Sequence, residues 1–116
     1  MSEYIEYLQE VFELFGPITA RKMFGGYGIY HNGLMFALVA EDTLYLKADA
    51  KNLGDFEKEG LGPFEYNKSG KLMKMSYYLA PDEVMDDREQ AAIWAHRSFE
   101  AALRSQALKN KPKIKK

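Results

Sequence analysis

The sequence predicts a single α+β domain in which helices pack on an antiparallel sheet, in the order α-β-β-β-α-β-β-α. The chain has 116 residues, of which 47% are hydrophobic and 14% aromatic. That is enough for one buried core and too little for two domains. Apolar residues recur at helical spacing near both ends of the chain, but they alternate with a period of two between them. Strand segments bracketed by helices are typical of the α+β class.

The first predicted helix spans residues 3–15. Ser2 is its predicted N-cap, and Glu3 suits the first turn because a carboxylate is stabilised by the helix dipole. Gly16 and Pro17 end the helix, since proline cannot continue it. The apolar stripe of this helix consists of Tyr4, Leu8, Val11, Phe12 and Phe15.

Three strands are predicted between residues 20 and 48. Asn32-Gly33 between two apolar runs is a strong hairpin signal, because both residues tolerate a positive φ. Residues 34–40 are continuously apolar, which predicts a strand that is covered on both faces. A turn at Glu41-Asp42 leads to a strand in which Leu44 and Leu46 alternate with polar residues.

The second half of the sequence predicts a short helix, a second hairpin and a last helix. Asp49 is the predicted N-cap of a short helix that ends at Gly60, and a hairpin follows with its turn at Ser69-Gly70. The last helix is predicted to begin near Asp86 or Asp87. Its inner stripe consists of Ala92, Ala95, Phe99, Ala102 and Leu103, with Trp94 on a flank. The predicted domain covers residues 1–106, and residues 107–116 are a basic tail that we expect to be disordered.

Composition excludes several functional classes. The chain has no cysteine, which excludes a disulfide framework, a thiolate metal site and a cysteine nucleophile. No apolar run approaches the roughly 20 residues of a membrane helix. The N-terminus is acidic and lacks the apolar core of a signal peptide. We therefore expect a cytoplasmic protein that does not act at a membrane.

Charge is unevenly distributed along the sequence. The net charge is −1, but residues 107–116 hold five basic residues and no acidic one, which leaves 11 basic and 17 acidic residues in the first 106. An acidic body is not typical of an autonomous DNA-binding domain. The tail is either a solvated terminus or a contact for phosphate or acidic lipid.

The glycines at positions 25, 26 and 28 form the most unusual segment of the sequence. Gly25, Gly26 and Gly28 do not match the spacing of a dinucleotide fingerprint, and no helix is predicted to follow them. We interpret them as a structural signature, at a point where the sheet bends and one backbone approaches another.

Three groups of residues remain to be considered as candidate sites. The acids at positions 82–87 could hold a cation, but helix capping explains them more simply. His31 is interpreted as a solvated turn residue, and His96 as an ordinary helix residue. The basic side chains offered for contact with a partner or nucleic acid are Arg21, Lys22, Lys109, Lys111, Lys113, Lys115 and Lys116.

Three segments carry a resemblance to a known family. Residues 21–30 read RKMFGGYGIY, residues 33–39 read GLMFALV, and residues 42–49 read DTLYLKAD. Together with MSYYLAP at residues 75–81, they resemble the N-terminal domain of the TfoX/Sxy competence-regulator family. The resemblance covers roughly residues 4–103 and implies a fold similar to type III secretion chaperones.

The resemblance also implies a function. Two-domain members of that family promote transcription of DNA-uptake genes together with a cyclic-AMP receptor protein, and they supply no catalytic residue to carry over. We therefore expect a bacterial, non-enzymatic regulator or adaptor that binds a protein partner, with transcription components among the candidates. No cofactor is expected. The alternatives are a nucleic-acid-binding module that uses Arg21, Lys22 and the tail, in which tyrosines on the sheet stack bases, and a small-molecule enzyme.

The long apolar strand also leads to a hypothesis about assembly. Two short helices and one long helix must cover both faces of the predicted sheet. Exposed residues would then pair with a second copy of the chain, and a two-fold dimer is the commonest arrangement. The candidates for this contact are Met35, Ala37, Val39, Tyr45 and Tyr78.

Overall fold

A computed structural model describes residues 3–23 and 25–110 of the chain. The predicted α+β class and element order are confirmed, and the structure adds a strand before the first predicted one and a one-turn helix before the last. The elements in chain order are α1 (Glu3–Val11), β1 (Thr19–Met23), β2 (Gly26–His31), β3 (Leu34–Ala40), β4 (Thr43–Lys47), α2 (Leu53–Lys58), β5 (Pro63–Lys68), β6 (Lys71–Leu79), α3 (Glu83–Asp86) and α4 (Arg88–Asn110).

All six strands belong to one antiparallel sheet in the order β1-β2-β3-β4-β6-β5. Two-residue turns at Asn32-Gly33, Glu41-Asp42 and Ser69-Gly70 join neighbouring strands. Both residues of each turn have a positive φ, between 51° and 79°. This is the conformation of a turn whose twist matches that of the strands, so the three predicted turns are confirmed.

An extra residue in β3 explains why this strand is apolar throughout. Ile29 pairs with Ala37, but Tyr30 pairs with Met35, so Phe36 has no partner and forms a β-bulge. Phe36 and Ala37 are both fully buried in the core beneath the helices. The bulge therefore directs two successive side chains to the same face of the sheet.

In the described part of the chain, the helices pack on one face of the sheet, and only the C-terminal part of α4 borders the other face. The core lies between this face and the helices and includes Leu8 of α1, Phe56 of α2, Val84 of α3 and Trp94 of α4. Ala37 and Val39 belong to this core, so their predicted availability to a second copy is wrong. Tyr78 also packs against the core, with its ring 5.5 Å from that of Phe56.

The inner stripe of α4 is displaced from the predicted one. Its buried residues are Ala91, Trp94, Ala95, Ser98, Ala101 and Ala102. Leu103 is 45% exposed, and Trp94 lies in the core rather than on a flank. The buried row is the predicted one moved by one residue toward the N-terminus, together with Ala95. The helix continues to Asn110, beyond the predicted domain boundary at residue 106.

α1 ends four residues earlier than predicted. Phe12 and Phe15 lie in the turns after it, where their rings contact Phe36 at centroid distances of 5.6 and 5.1 Å. Gly16 follows with a φ of 145°, and an added Cβ there would lie 2.8 Å from the His31 ring. The helix ends early because a turn, rather than a further helical turn, places these aromatic rings in the core.

Carboxylates organise the starts of the later helices. The Asp87 Oδ1 accepts the N–H groups of Glu89 and Gln90, so the predicted cap of the last helix is confirmed. Asp49 acts one turn earlier than predicted, because its Oδ1 accepts the N–H groups of Lys51 and Asn52 ahead of α2. Among the described helices, none is long and apolar enough to cross a membrane.

Candidate binding face of the sheet

The face of the sheet opposite the helices is the candidate functional surface, and we call it the open face. Strand alternation and register place two groups of side chains on it. The group near the C-terminal end of α4, here the cationic end, consists of Arg21, Tyr30, Met35, Lys47 and Tyr77. The other group, here the apolar end, consists of Met23, Leu38, Tyr45, Phe64 and Leu79.

Cations lie against aromatic rings at the cationic end. The Arg21 Cζ is 5.3 Å from the centre of the Tyr30 ring, and the Lys47 Nζ is 5.2 Å from that of Tyr77. The Lys47 Nζ also donates a hydrogen bond to the Ser76 Oγ at 3.0 Å. Cation–π contacts of this kind hold a long side chain over a ring without a carboxylate partner.

The C-terminal part of α4 closes this end into a cavity of about 340 Å³. Lys47 and Tyr77 line it from the sheet, together with Leu34 and Met35. α4 contributes Ala102, Ser105, Gln106 and Lys109. These four positions recur every three or four residues, so they form one side of the helix.

The electrostatics of the cavity are dominated by positive charge. Burial lowers the pKa of Lys47, and the Lys109 ammonium lowers it further, while Asp49 acts weakly in the opposite direction. Burial, with a smaller contribution from Tyr30, raises the pKa of Tyr77 to about 12. The cavity is therefore lined by two neighbouring lysines, which repel each other when both are charged, and by a phenol that is neutral at neutral pH.

Acidic residues are almost absent from the sheet. Glu65 is the only Asp or Glu within the six strands, and it alternates with Phe64 and Tyr66. Phe64 lies on the open face beside Tyr45, so Glu65 lies on the other face. The acids of the chain lie mainly in the helices and turns, which gives the molecule one negative and one positive side.

The apolar end is a surface of half-buried aromatic and sulfur-containing side chains. The Tyr45 and Phe64 rings meet edge to face with centroids 5.0 Å apart, and Phe64 stacks on Tyr66 at 6.1 Å. Met23 and Leu38 line a shallow depression beside Phe64. Such a surface suits contact with an apolar partner.

The glycine signature lies at the β1–β2 hairpin and along β2. Gly25 has a φ of 76° in the turn. An added Cβ at Gly26 would lie 2.0 Å from the carbonyl oxygen of Val39, so only glycine allows this approach of two backbones. At Gly28 an added Cβ would lie within 3.1 Å of the side chains of Met23, Met35 and Tyr30. These glycines shape the open face, and Gly25 and Gly26 also border an open cavity of about 360 Å³ beside Lys22.

The structure brings together only some of the predicted contact residues. Arg21 and Lys109 both border the cationic end. Lys22 is exposed and lies on the other side of β1, because it pairs with Tyr27, whose ring packs against the core. The tail residues Lys111, Lys113, Lys115 and Lys116 lie outside the described residues.

The remaining candidate groups have structural roles. The interpretation of His31 as a solvated residue is wrong: its ring is half-buried between Phe15 and Phe99, and its Nδ1 donates to the Pro17 carbonyl at 2.7 Å. His96 lies 3.6 Å from Glu100 on the surface. Glu83 accepts a hydrogen bond from the Trp94 Nε1. No group of three or more possible metal ligands occurs among the described residues.

Sequence reasoning missed the residues that form the cavity. Lys47 reads as the polar member of an alternating strand, and Ser105 and Gln106 read as the solvated side of a helix. Their meeting depends on tertiary packing over more than 50 residues of chain. The available signal was the absence of acids from every strand except β5.

Comparison with known proteins supports one family. The family model of the TfoX N-terminal domain matches residues 10–102 of this chain. Protein Sxy of Escherichia coli is 26% identical over 102 residues, which cover 88% of this chain and 49% of that protein. The DNA transformation protein TfoX of Haemophilus influenzae is 31% identical over 75 residues, covering 63% of this chain and 35% of that protein.

A third relative gives the same result over a shorter segment. The DNA transformation protein TfoX1 of Aliivibrio fischeri is 30% identical over 63 residues, covering 54% of this chain and 30% of that protein. The chain thus spans about half or less of the length of these relatives. The family model matches residues 10–102, which include the whole sheet and most of α4, and this match confirms the predicted resemblance. The chain belongs to the TfoX N-terminal domain family.

Proposed function

We propose that this chain is a non-enzymatic regulatory module of bacterial DNA uptake, and that it acts by binding a protein partner. The observation that supports this proposal is the family match across the whole sheet, because two of the matched relatives are named as DNA transformation proteins. A component of the transcription machinery is the partner that fits a regulator of DNA-uptake genes.

The apolar end of the open face is the proposed contact surface. It presents the half-buried side chains of Met23, Tyr45 and Phe64, and none of the helices in the described ranges covers it. Aromatic and methionine side chains are enriched at the centres of protein interfaces, where they bury much area. A partner that covers this end would leave the cationic end accessible.

A chimaera tests the proposal. The N-terminal part of Haemophilus influenzae TfoX that corresponds to this chain is replaced by residues 3–110, which keep all the described helices and strands, and the frequency of transformation is measured in a strain without its own TfoX. We expect the chimaera to restore transformation and Tyr45→Lys to abolish it, because a lysine on the apolar end cannot be desolvated without cost. Ile93→Lys is the matched control, since Ile93 is exposed on α4 in the opposite layer.

Two results would contradict the proposal. One is a chimaera that accumulates at the normal level, is folded, and gives no more transformants than the strain without TfoX. The other is an equal loss of transformation in Tyr45→Lys and Ile93→Lys, which would remove the open face from the mechanism.

Nucleic-acid binding is a second candidate function. The observation that favours it is the location of Arg21 and Lys109 at one end of an open face that carries Tyr30 and no acid from the strands. Affinity for a single-stranded oligonucleotide should then fall steeply with salt, and it should fall further in a chain that ends at residue 110. The absence of binding at low salt would exclude this function.

A further inference from the structure

We propose that the cavity between the cationic end and α4 is a binding site for the phosphate group of a small phosphorylated molecule of mononucleotide size. The family match names no ligand for this site, and the inference does not depend on the proposed regulatory function. Its volume of about 340 Å³ lies in the range of roughly 300–1,000 Å³ that is typical of small-molecule sites.

The first argument is uncompensated charge. Lys47 is partly buried, and in the part of the chain that the structure describes neither Lys47 nor Lys109 forms an ion pair with a carboxylate. The acid that acts on Lys47 is Asp49, and Arg104 already holds that carboxylate with two hydrogen bonds, of 2.6 and 2.9 Å. Two ammonium groups that repel each other favour an anion between them.

The second argument is the set of donors. Besides the two lysines, the residues that line the cavity include Ser105, Gln106 and Tyr77, which carry a hydroxyl, an amide and a phenol, and Ser76 adjoins it through its bond to Lys47. None of the lining residues is acidic. A doubly charged phosphate monoester matches two lysines and several neutral donors better than a single carboxylate does. Met35 and Leu34 supply the apolar wall that an organic group attached to the phosphate would contact.

Thermal unfolding of the full chain tests the site. The probes are inorganic phosphate and a 5′-mononucleotide, each compared with sodium chloride of equal ionic strength because general screening affects all surface charges. We expect a saturable rise in the melting temperature with each probe, and a larger rise with the mononucleotide.

Three lysine variants make the test specific. Lys47→Met keeps the stem that packs on Tyr77 and removes the charge, and we expect the dissociation constant to rise about tenfold or more. Lys109→Met should have the same effect, and its side chain is exposed, so the variant should fold normally. Lys58→Met is the control, because this exposed lysine at the end of α2 should leave binding unchanged.

The phosphate that binds belongs either to a small molecule or to a nucleic-acid strand, and a short single-stranded oligonucleotide distinguishes these two sources. Binding of the mononucleotide that is lost in both cavity variants establishes a small ligand. Binding of the oligonucleotide alone, lost in the same two variants, would retain the phosphate site and overturn the small-molecule source. The proposal as a whole is rejected if no probe gives a saturable response, or if Lys47→Met, Lys109→Met and Lys58→Met all bind like the wild type.

Discussion

At the scale of single residues, positions where two backbones are in contact tolerate substitution least. Gly26 shows this most clearly, because its missing side chain is the space that the Val39 carbonyl occupies. Gly62 is a useful contrast, since a Cβ there would meet nothing within 4 Å. The sequence already marked Gly26 as a point where one backbone approaches another, and the packing of β2 on β3 shows that the Val39 carbonyl is the group it meets.

Gly26→Ala should therefore destabilise the protein strongly. A Cβ that lies 2.0 Å from a backbone oxygen forces the two strands apart, so we expect a loss of at least about 2 kcal/mol in the free energy of unfolding. Gly62→Ala should change it by less than about 0.5 kcal/mol. Urea unfolding of both variants is the measurement, and equal stability of the two would contradict the geometry.

Asp49 and Arg104 form the bidentate ion pair that joins the start of α2 to α4. The hydrogen bond from Arg104 is the main reason that the pKa of Asp49 lies below its ordinary value of 3.8, with help from the N–H groups of Lys51 and Asn52 and against the effect of burial. A carboxyl whose pKa is lowered by folding stabilises the folded state above its unfolded pKa. That stability is lost as the pH falls through the folded pKa.

Arg104→Met should remove about 1 kcal/mol of stability at neutral pH, with allowance for solvent screening of a partly exposed pair. The difference from the wild type should shrink as Asp49 becomes protonated, at a pH below the ordinary carboxyl pKa of 3.8. A double-mutant cycle with Asp49→Asn, followed by urea unfolding across this pH range, isolates the pair. A difference that is the same at neutral and acidic pH would show that packing of the Arg104 stem, rather than charge, is responsible.

At the scale of elements, the sequence predicts what depends on neighbouring residues and misses what depends on distant ones. The turns at Asn32-Gly33 and Ser69-Gly70 were predictable because their residues tolerate positive φ without help from the rest of the fold. The stripe of α4 was misplaced, since a helix with evenly spread hydrophobicity is oriented by what packs against it. The meeting of Lys47 with Lys109 was unpredictable for the same reason, and so was the burial of His31.

The turn at Glu41-Asp42 provides a prediction at this scale. Both residues have left-handed φ values, of 51° and 54°, which cost non-glycine residues free energy. Replacing the pair by Asn-Gly, as Glu41→Asn with Asp42→Gly, should stabilise the protein by about 1 kcal/mol or more. The reciprocal variant, Asn32→Glu with Gly33→Asp, should lose a comparable amount. Thermal unfolding of both variants is the measurement, and a loss of stability in the first would contradict the assignment of the turn.

At the scale of the whole molecule, the two layers differ in their charge and in whether helices cover them. One layer consists of helices that carry most of the acids, and the other is an uncovered sheet with aromatic, sulfur-containing and cationic side chains. Association of two copies through the apolar end of the open face follows from this asymmetry, and it remains a prediction that competes with a different protein partner for the same surface.

Sedimentation velocity across the micromolar range tests self-association. A dimer should dissociate in Tyr45→Lys, because Tyr45 is half-buried on the open face and its replacement leaves the core intact. Val39 is unsuitable for this test, since it is 3% exposed in the core and a lysine there would unfold the chain. A wild-type protein that sediments as a single 13.3 kDa species at every concentration would exclude the dimer.

The bulge at Phe36 has a consequence for how this sheet can be changed. Along β3, odd-numbered positions face the open side before the bulge and even-numbered positions do so after it. Met35 belongs to the first phase, whereas Leu38 belongs to the second. A residue added or deleted at one end of the strand would invert the phase there and leave the other end unaffected. The cationic and apolar ends of the open face are thus encoded by separate parts of the sequence, and each end can be redesigned without changing the other.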